Sequence, residues 1–337
     1  LGGRNNAAVN NVIREAGYMG FSSAIAGQLP PDSNPGGAVK NQAIHNTIFD
    51  LGRIAFFADA GLDIKHNDLY NAQFQASGLG IIFSANTDGK NAEIAYNLLH
   101  DNLAEKTALY NGGHGIFMDD NTYNYRIYRN IIWNTTGPAL FLFGGNGALA
   151  TPIPPNTSTN RQVYNNTLIN GRLQAEAKTN VQPVQTLAGA EFRNNIAYIV
   201  DLDSPALTVA DHNYQGDPVF MDAAQHDYRL RPSSPAVNAG VNLGSPYMDA
   251  PMIPIGAPDL GALESGRPPL AFGAVLRPRD LAQLNVSCYQ TGDVTARCQI
   301  GNLPLGRSVP DDFQAVSYTH LRAHETPEHL VCRLLLE

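Results

Sequence analysis

The chain has 337 residues, enough for one large domain or two ordinary ones, with 43% hydrophobic and only 15% charged residues. A formal net charge of −8 at pH 7, with no basic stripe, argues against nucleic acid as a partner. No apolar run reaches the roughly eighteen residues of a membrane-spanning helix. The chain opens at Leu1 with neither Met nor a signal peptide, which reads as a fragment whose natural start lies upstream.

From the N-terminus onward, one motif recurs. "AVNNVIREAG" (Asn11, Ile13) and "NQAIHNTIFD" (Asn46, Ile48) carry it loosely. "DIKHNDLYN", "EIAYNLLHDN", "RIYRNIIWN", "RQVYNNTLIN" and "EFRNNIAYI" carry it closely: an apolar residue, two residues, Asn, one residue, apolar. The anchors are Asn67, Asn97, Asn130, Asn166 and Asn195, in steps of 30, 33, 36 and 29. A fixed motif at such a loose period means a solenoid. Apolar residues spaced by two around each Asn predict short strands with one face inward. Asn is expected to break each strand, because it tolerates left-handed backbone, and stacked coils would align the amides as a ladder. Helical repeats would need longer runs at period 3.6, which are absent.

Upstream of each motif lies a third strand: "GRIAFFAD" (52–59), "LGIIFSAN" (79–86), "HGIFMDDN" (114–121) and "GPALFLFGG" (137–145). Three strands and three turns per coil predict an all-β fold, a right-handed parallel β-helix of three sheets. Coils longer than about 25 residues imply loops extruded from turns. "GGNGALATPIPPNTSTN" (144–160) is one such excursion.

The segment 78–134 carries a resemblance. "TDGKNAEIAYNLLHD" followed by "GGHGIFMDDNTYNYRIYRNIIWN" is similar to recurring text of the bacterial β-helix proteins of the pectate-lyase-like superfamily. "GDPVFMDAAQHDYRLRPSSPAVNAG" (216–240) and "PDLGALE" (258–264) resemble the segment with which these proteins close the helix. The resemblance covers residues 1–265 and implies fold more than reaction, since that superfamily hosts lyases, glycosidases, epimerases and adhesins. It implies a monomeric protein, secreted, cell-surface or periplasmic, acting on a polysaccharide or oligosaccharide.

After Glu264, "SGRPPL" has a linker composition, and 266–315 reads as a linker and a small β segment. There, Gly292 and Asp293 separate two strand-like runs, predicting a hairpin with Cys288 near Cys298. Residues 316–337 abandon this composition and resemble a translated sequencing-adapter read-through, so His320, His324, Glu325 and His329 are set aside.

Candidate chemistry centres on Tyr110–Asn130. Strand alternation turns Ile116 and Met118 inward and Phe117 and Asp119 outward, with Asp120 opening the turn. Ile127 inward turns Arg126 and Tyr128 outward. "FSANTDG" on the coil before offers Ser84, Asn86 and Asp88 near the register of Asp119 and Asp120. His100, Asp101 and His114 are expected on turns bordering this groove. Catalytic candidates are therefore Asp119, Asp120, His114 and Arg126; substrate-binding candidates are Asp88, His100, Asp101 and Tyr128. Three chemistries fit. Glycoside hydrolysis needs two carboxyl groups. Uronan elimination needs a base, Arg126 or Lys90, and calcium or arginine, with Asp88, Asp119 and Asp120 as calcium ligands. Glycan binding or surface adhesion without catalysis would use Tyr110, Tyr123, Tyr125, Tyr128 and Trp133 as stacking surfaces. Short matches at 86–88, 113–115, 119–120 and 126–128 resemble "NTD", "GHG", "DD" and "RIK" of polygalacturonase-type glycosidases. Their order differs here, and Tyr128 replaces the lysine. The same aspartates also stand where turns favour Asp for its own hydrogen bonds.

Overall fold

A computed structural model describes residues 5–18, 23–26, 40–107, 112–120, 122–144, 160–177, 187, 189–202, 209–274, 285–292, 295–301 and 318–319. Coil one comprises β1 (Ala7–Val9), β2 (Val12–Arg14) and β3 (Ser23–Ala26). Coil two is β4 (Asn41–Ile44), β5 (Thr47–Phe49) and β6 (Ile54–Phe57). Coil three is β7 (Leu62–Lys65), β8 (Asp68–Tyr70) and β9 (Gly80–Ala85). Coil four is β10 (Asp88–Ala95), β11 (Leu98–Asn102) and β12 (His114–Asp119). Coil five is β13 (Tyr123–Tyr128), β14 (Ile131–Thr135) and β15 (Leu140–Gly144). Then follow β16 (Arg161–Tyr164) with β17 (Thr167–Ala177), β18 (Ala190–Arg193) with β19 (Ile196–Asp201), and β20 (Val209–Asp211) with β21 (Tyr214–Gln215).

Like strands of successive coils pair in parallel, giving three stacks. The first runs β1-β4-β7-β10-β13-β16-β18-β20. The second holds β2, β5, β8, β11, β14 and the start of β17; the third holds β3, β6, β9, β12, β15 and the end of β17. Because β17 bends through the corner, the second and third stacks form one continuous sheet. The fold is a parallel β-helix with three stacks of strands, without α-helix among the described residues. No helix there is long and apolar enough to cross a membrane.

Inward residues meet their own kind one coil away. Ala43, Ile64, Ile94, Ile127, Val163 and Phe192 form one row of the first stack, all fully or nearly fully buried. Ile48, Leu69, Leu99, Ile132 and Leu168 form the matching row of the second. Each of these side chains larger than alanine contributes roughly 1.5–3 kcal/mol of burial.

The asparagine ladder is continuous from Asn11 through Asn46, Asn67, Asn97, Asn130, Asn166 and Asn195 to Asn213. Each Nδ2 donates to the next Oδ1 at 2.8–3.0 Å and, from Asn46 onward, also to a main-chain carbonyl of the coil before. The left-handed residue is not the ladder asparagine, as expected from sequence, but the one before it. His45, His66, Tyr96, Arg129, Asn165, Asn194 and His212 all have φ between 51° and 57°. The ladder amides bond along the axis, so they hold the turn and leave the strained backbone to their neighbour.

The C-terminal part of this unit does not plug the end of the helix. A hairpin of β22 (Phe220–Asp222) and β23 (Asp227–Leu230) leads into an irregular strap that runs back along the outside. Asn194 Nδ2 donates to Val241 O, and Asn165 Nδ2 to Asp259 O and Gly261 O. Arg129 is fully buried beneath it, donating to Tyr247 O, Ala262 O, Met252 O and, at 2.9 Å, Glu264 Oε1. Gly273 N reaches His66 O and Ala274 N reaches Thr47 Oγ1. The compact unit therefore spans Leu1–Ala274.

The remaining unit, Val275–Glu337, holds β24 (Asn285–Gly292) and β25 (Thr295–Gly301), an antiparallel hairpin with Cys288 opposite Cys298, and β26 (Tyr318–Thr319). His320, His324, Glu325 and His329 lie outside the described residues, as do Tyr110 and 145–159 of the long excursion.

Candidate active site

The corner between the third and first stacks gathers three of the expected residues. β9 ends at Ala85, and Asn86 turns the chain at φ 51°. Asp88 then closes a tight turn: its Oδ1 accepts from Lys90 N at 3.0 Å and from Asn124 Nδ2 at 2.8 Å. Lys90 Nζ lies 2.6 Å from Asp88 Oδ2. One coil on, β12 ends at Asp119, opposite Ala85. Asp120 N donates to Asp119 Oδ1, and the Thr122 hydroxyl donates to the Asp119 carbonyl. Arg161, buried one coil further, donates from Nε to Thr122 O at 2.6 Å. Ser84 is not part of the groove: it is fully buried and donates inward to Ala58 O.

A fourth carboxyl at this corner went unforeseen. Asp59 follows β6 on coil two, where Phe57 pairs with Phe83 and Ala58 N bonds to Phe83 O. Asp59 stands just beyond the end of β6, where its backbone N donates to Phe57 O at 2.9 Å and the chain turns. Asp59 and Asp119 thus belong to the ends of third-stack strands two coils apart, a rise of about 9.6 Å along the axis. Burial raises the Asp59 carboxyl to about 6. The repeat itself held the signal, since "FFAD" (56–59) aligns with "IFMD" (116–119).

The other candidates stand elsewhere. Arg126 and Tyr128 face outward on the first stack, as strand alternation requires, where both contact Glu93: Arg126 Nη1 at 3.4 Å, the Tyr128 hydroxyl at 3.0 Å. Burial opposes the charge of Glu93, but Lys65 and Tyr128 outweigh it and hold its pKa below the usual value. Tyr128 is no sugar platform, because Tyr247 of the strap covers it. Tyr125 is also excluded: it points into the core and donates to Ala58 O.

His100 and Asp101 lie on the outer face of the second stack, not on turns around the groove. His100 is clamped between Asp101 (2.7 Å) and Asp68 (3.2 Å) and stacked between Tyr70 and Trp133, at 4.7 and 4.3 Å between centroids. Burial works against its charge, yet the two carboxylates together raise its pKa. Trp133 carries His226 on its other face, 4.9 Å away. These rings present edges to solvent, because their faces are spent on each other. The group reads as a structural ladder of stacked rings.

His114 is 1% exposed at the start of β12, donating from Nδ1 to Pro138 O and packed against Phe117 and Phe141. The "GHG" match thus has a packing cause: a Cβ on Gly113 would lie 2.3 Å from Asn102 Oδ1 and one on Gly115 2.5 Å from Ile132 Cγ2. Burial pushes the His114 pKa down to about 4, and burial followed by His45 does the same to His66. A histidine whose folded pKa is lowered adds stability above its unfolded value, near 6.5, and loses it as pH falls toward 4. Unfolding free energy is therefore expected to drop between pH 6.5 and 4, by about 3 kcal/mol from His114 alone. Urea melts across this range, compared with His114→Phe, check it; an equal loss in the variant would exclude His114 as the cause.

No group of three His, Cys, Asp or Glu among the described residues is arranged to hold a metal ion. The calcium set Asp88, Asp119 and Asp120 is not assembled as such, and the Asp88 oxygens are engaged by Lys90 and Asn124. No model of a known protein family matches the chain, and no curated protein does.

Proposed function

We propose that the protein is a glycoside hydrolase acting at the outer corner between the third and first stacks, with Asp59 as general acid and Asp119 as general base. The placement of Asp59 and Asp119 at the ends of third-stack strands two coils apart, with Asp59 half-buried, carries this reading. An acid that keeps its proton near pH 6 can protonate a glycosidic oxygen, and a second carboxylate can activate a water on the opposite face of the sugar. The two-coil axial rise of about 9.6 Å is far nearer the roughly 6.5–9.5 Å between carboxyl groups used for inversion than the about 5 Å of a retaining pair. Asp88, one coil from Asp119, has the closer spacing but is bound by Lys90 and Asn124. Asp120 supports the Asp119 turn, and Tyr123 borders it as a sugar-binding group.

Hydrolysis is favoured over uronan elimination by the state of the cations. Arg126 and Lys90, the candidate bases, each face a carboxylate. The resemblance of segment 78–134 to the pectate-lyase-like superfamily supports a carbohydrate substrate and an extracytoplasmic location.

Asp119→Asn and Asp59→Asn are each expected to lower kcat about 10³-fold. Asp59→Asn should recover with an aryl glycoside whose leaving group needs no proton; Asp119→Asn should not. In the native enzyme, activity should fall as pH rises past about 6 and Asp59 ionises. Asp59→Asn is also expected to raise stability at pH 7 by about 1 kcal/mol, most of the penalty on the charged form being screened at this half-exposed position. Native-level release of reducing ends by Asp119→Asn would refute the assignment. Glycan retention without any cleavage would favour the adhesin reading.

A further inference from the structure

Resting on that hydrolase reading, we infer that Tyr125 and Ser84 are positioning residues for Asp59. Their two buried hydroxyls hold the peptide from which the acid projects, and so set how deeply its carboxyl sits. Ala58, the residue before Asp59, is fully buried. Its N–H donates to Phe83 O at 2.8 Å. Its carbonyl accepts twice, from the Ser84 hydroxyl at 2.8 Å and from the Tyr125 hydroxyl at 2.5 Å. On the far side of the acid, Leu62 N donates to Asp59 O at 3.2 Å, so the turn is tied at both ends.

Packing does not ask for the Tyr125 oxygen. The ring lies in the apolar core, where phenylalanine would fill the same space and spare the cost of burying a hydroxyl. Nor does the Ala58 carbonyl need two donors, since Ser84 alone satisfies it. The ring comes from coil five and passes beneath the Asp88 turn of coil four: a Cβ on Gly89 would lie 2.5 Å from Tyr125 Cε2. Tyr125 stands on β13, the strand that follows the Asp119 turn. Its hydroxyl therefore joins the chain just after the base to the chain just before the acid. Burial keeps that hydroxyl protonated, and the nearby charges of Asp59 and Asp88 reinforce this, so it donates at every working pH. A reacting group held in this way keeps its productive geometry, where a shift of about 1 Å can cost 10²-fold in rate.

The test compares the full chain with Tyr125→Phe and Ser84→Ala, which each remove one oxygen. Tyr164→Phe is the control, a buried tyrosine whose hydroxyl donates to Glu191 on the first stack. The Asp59 carboxyl is titrated by carboxyl-carbon NMR on aspartate-labelled protein, with Asp59→Asn assigning its resonance. Release of reducing ends is measured alongside, from about pH 4 to 8. Tyr125→Phe and Ser84→Ala are each expected to lower the Asp59 midpoint by about one pH unit, because a loosened turn admits water to the carboxyl. The alkaline limb of kcat should move down with it, and kcat should fall about tenfold with KM nearly unchanged. Tyr164→Phe should move none of these. A midpoint within about 0.2 pH units of the native one in both variants, even with a lower melting temperature, would make the two hydroxyls merely structural. That result overturns the inference and leaves the hydrolase reading in place. A shifted midpoint in a protein that cuts no glycan keeps the hold on Asp59 and removes the hydrolase. Should one variant fail to fold, the other decides.

Discussion

Asn130→Ala is expected to lower the free energy of unfolding by roughly 4 kcal/mol. Asn130 sits mid-ladder, fully buried. Its Nδ2 donates to Asn166 Oδ1 and Ile94 O, and its Oδ1 accepts from the backbone N and the Nδ2 of Asn97. Alanine removes all four bonds at once. It takes the partner of the Asn97 backbone N–H, one of the two bonds of the Asn97 Nδ2 and a bond to the Ile94 carbonyl out of a dry core, where each unsatisfied group costs about 1–3 kcal/mol. Relaxation of neighbouring amides offsets part of that. The contrast is Asn213→Ala at the last rung, which is partly exposed, so water can replace the lost bonds and the cost should stay near 1 kcal/mol. Urea titrations of both variants, with unchanged slope, decide the matter. Equal midpoints would show that the ladder contributes no more in the middle than at its end.

The second large effect concerns the strap. Glu264→Ala should cost about 3–5 kcal/mol, because it strands the Arg129 guanidinium, which is fully buried. Burial pushes the Glu264 carboxyl up, and Arg129 pulls it back only in part. The pair is therefore costly to build and costlier to break. Glu264→Gln, which keeps an acceptor, should lose less. Arg129→Met should lose as much as Glu264→Ala, since it also orphans the carbonyls of Tyr247, Met252 and Ala262. Limited proteolysis should then cut the strap between Gly240 and Ala274 before any coil. Cleavage beginning instead in the coils would show that the strap does not depend on this pair.

Much of the scaffold was legible because its causes are local and repeated. The apolar-x-x-Asn-x-apolar unit states both a strand face and a ladder position, so Asn67 to Asn195 fell into place together. Asn213 did not, because Gln215 fills the last apolar position of its motif. Outward placement of Phe117, Asp119, Arg126 and Tyr128 followed from alternation alone. What covers an outward residue does not follow: Tyr128 and Arg129 meet partners more than a hundred residues downstream, which no periodicity encodes. His100 and His114 were misplaced for a related reason. A histidine beside an aspartate or a glycine looks catalytic in one dimension, while its stacking partners Tyr70, Trp133 and Phe141 belong to neighbouring coils. Asp59 did not stand out although the repeat contained it, because alanines flank it and it lies just past the end of its strand.

The strap has one more consequence, and it is mechanical. By running back from the last coils to Thr47 and His66, it brings Ala274 beside coils two and three, close to where the first coil begins. Tension between the first coil and Ala274 would load those coils and the strap's last bonds, and bypass coils four to eight. The barrel would behave less like a spring pulled from its two ends than like a loop tied off at one, yielding by peeling of the strap long before the ladder carries any load.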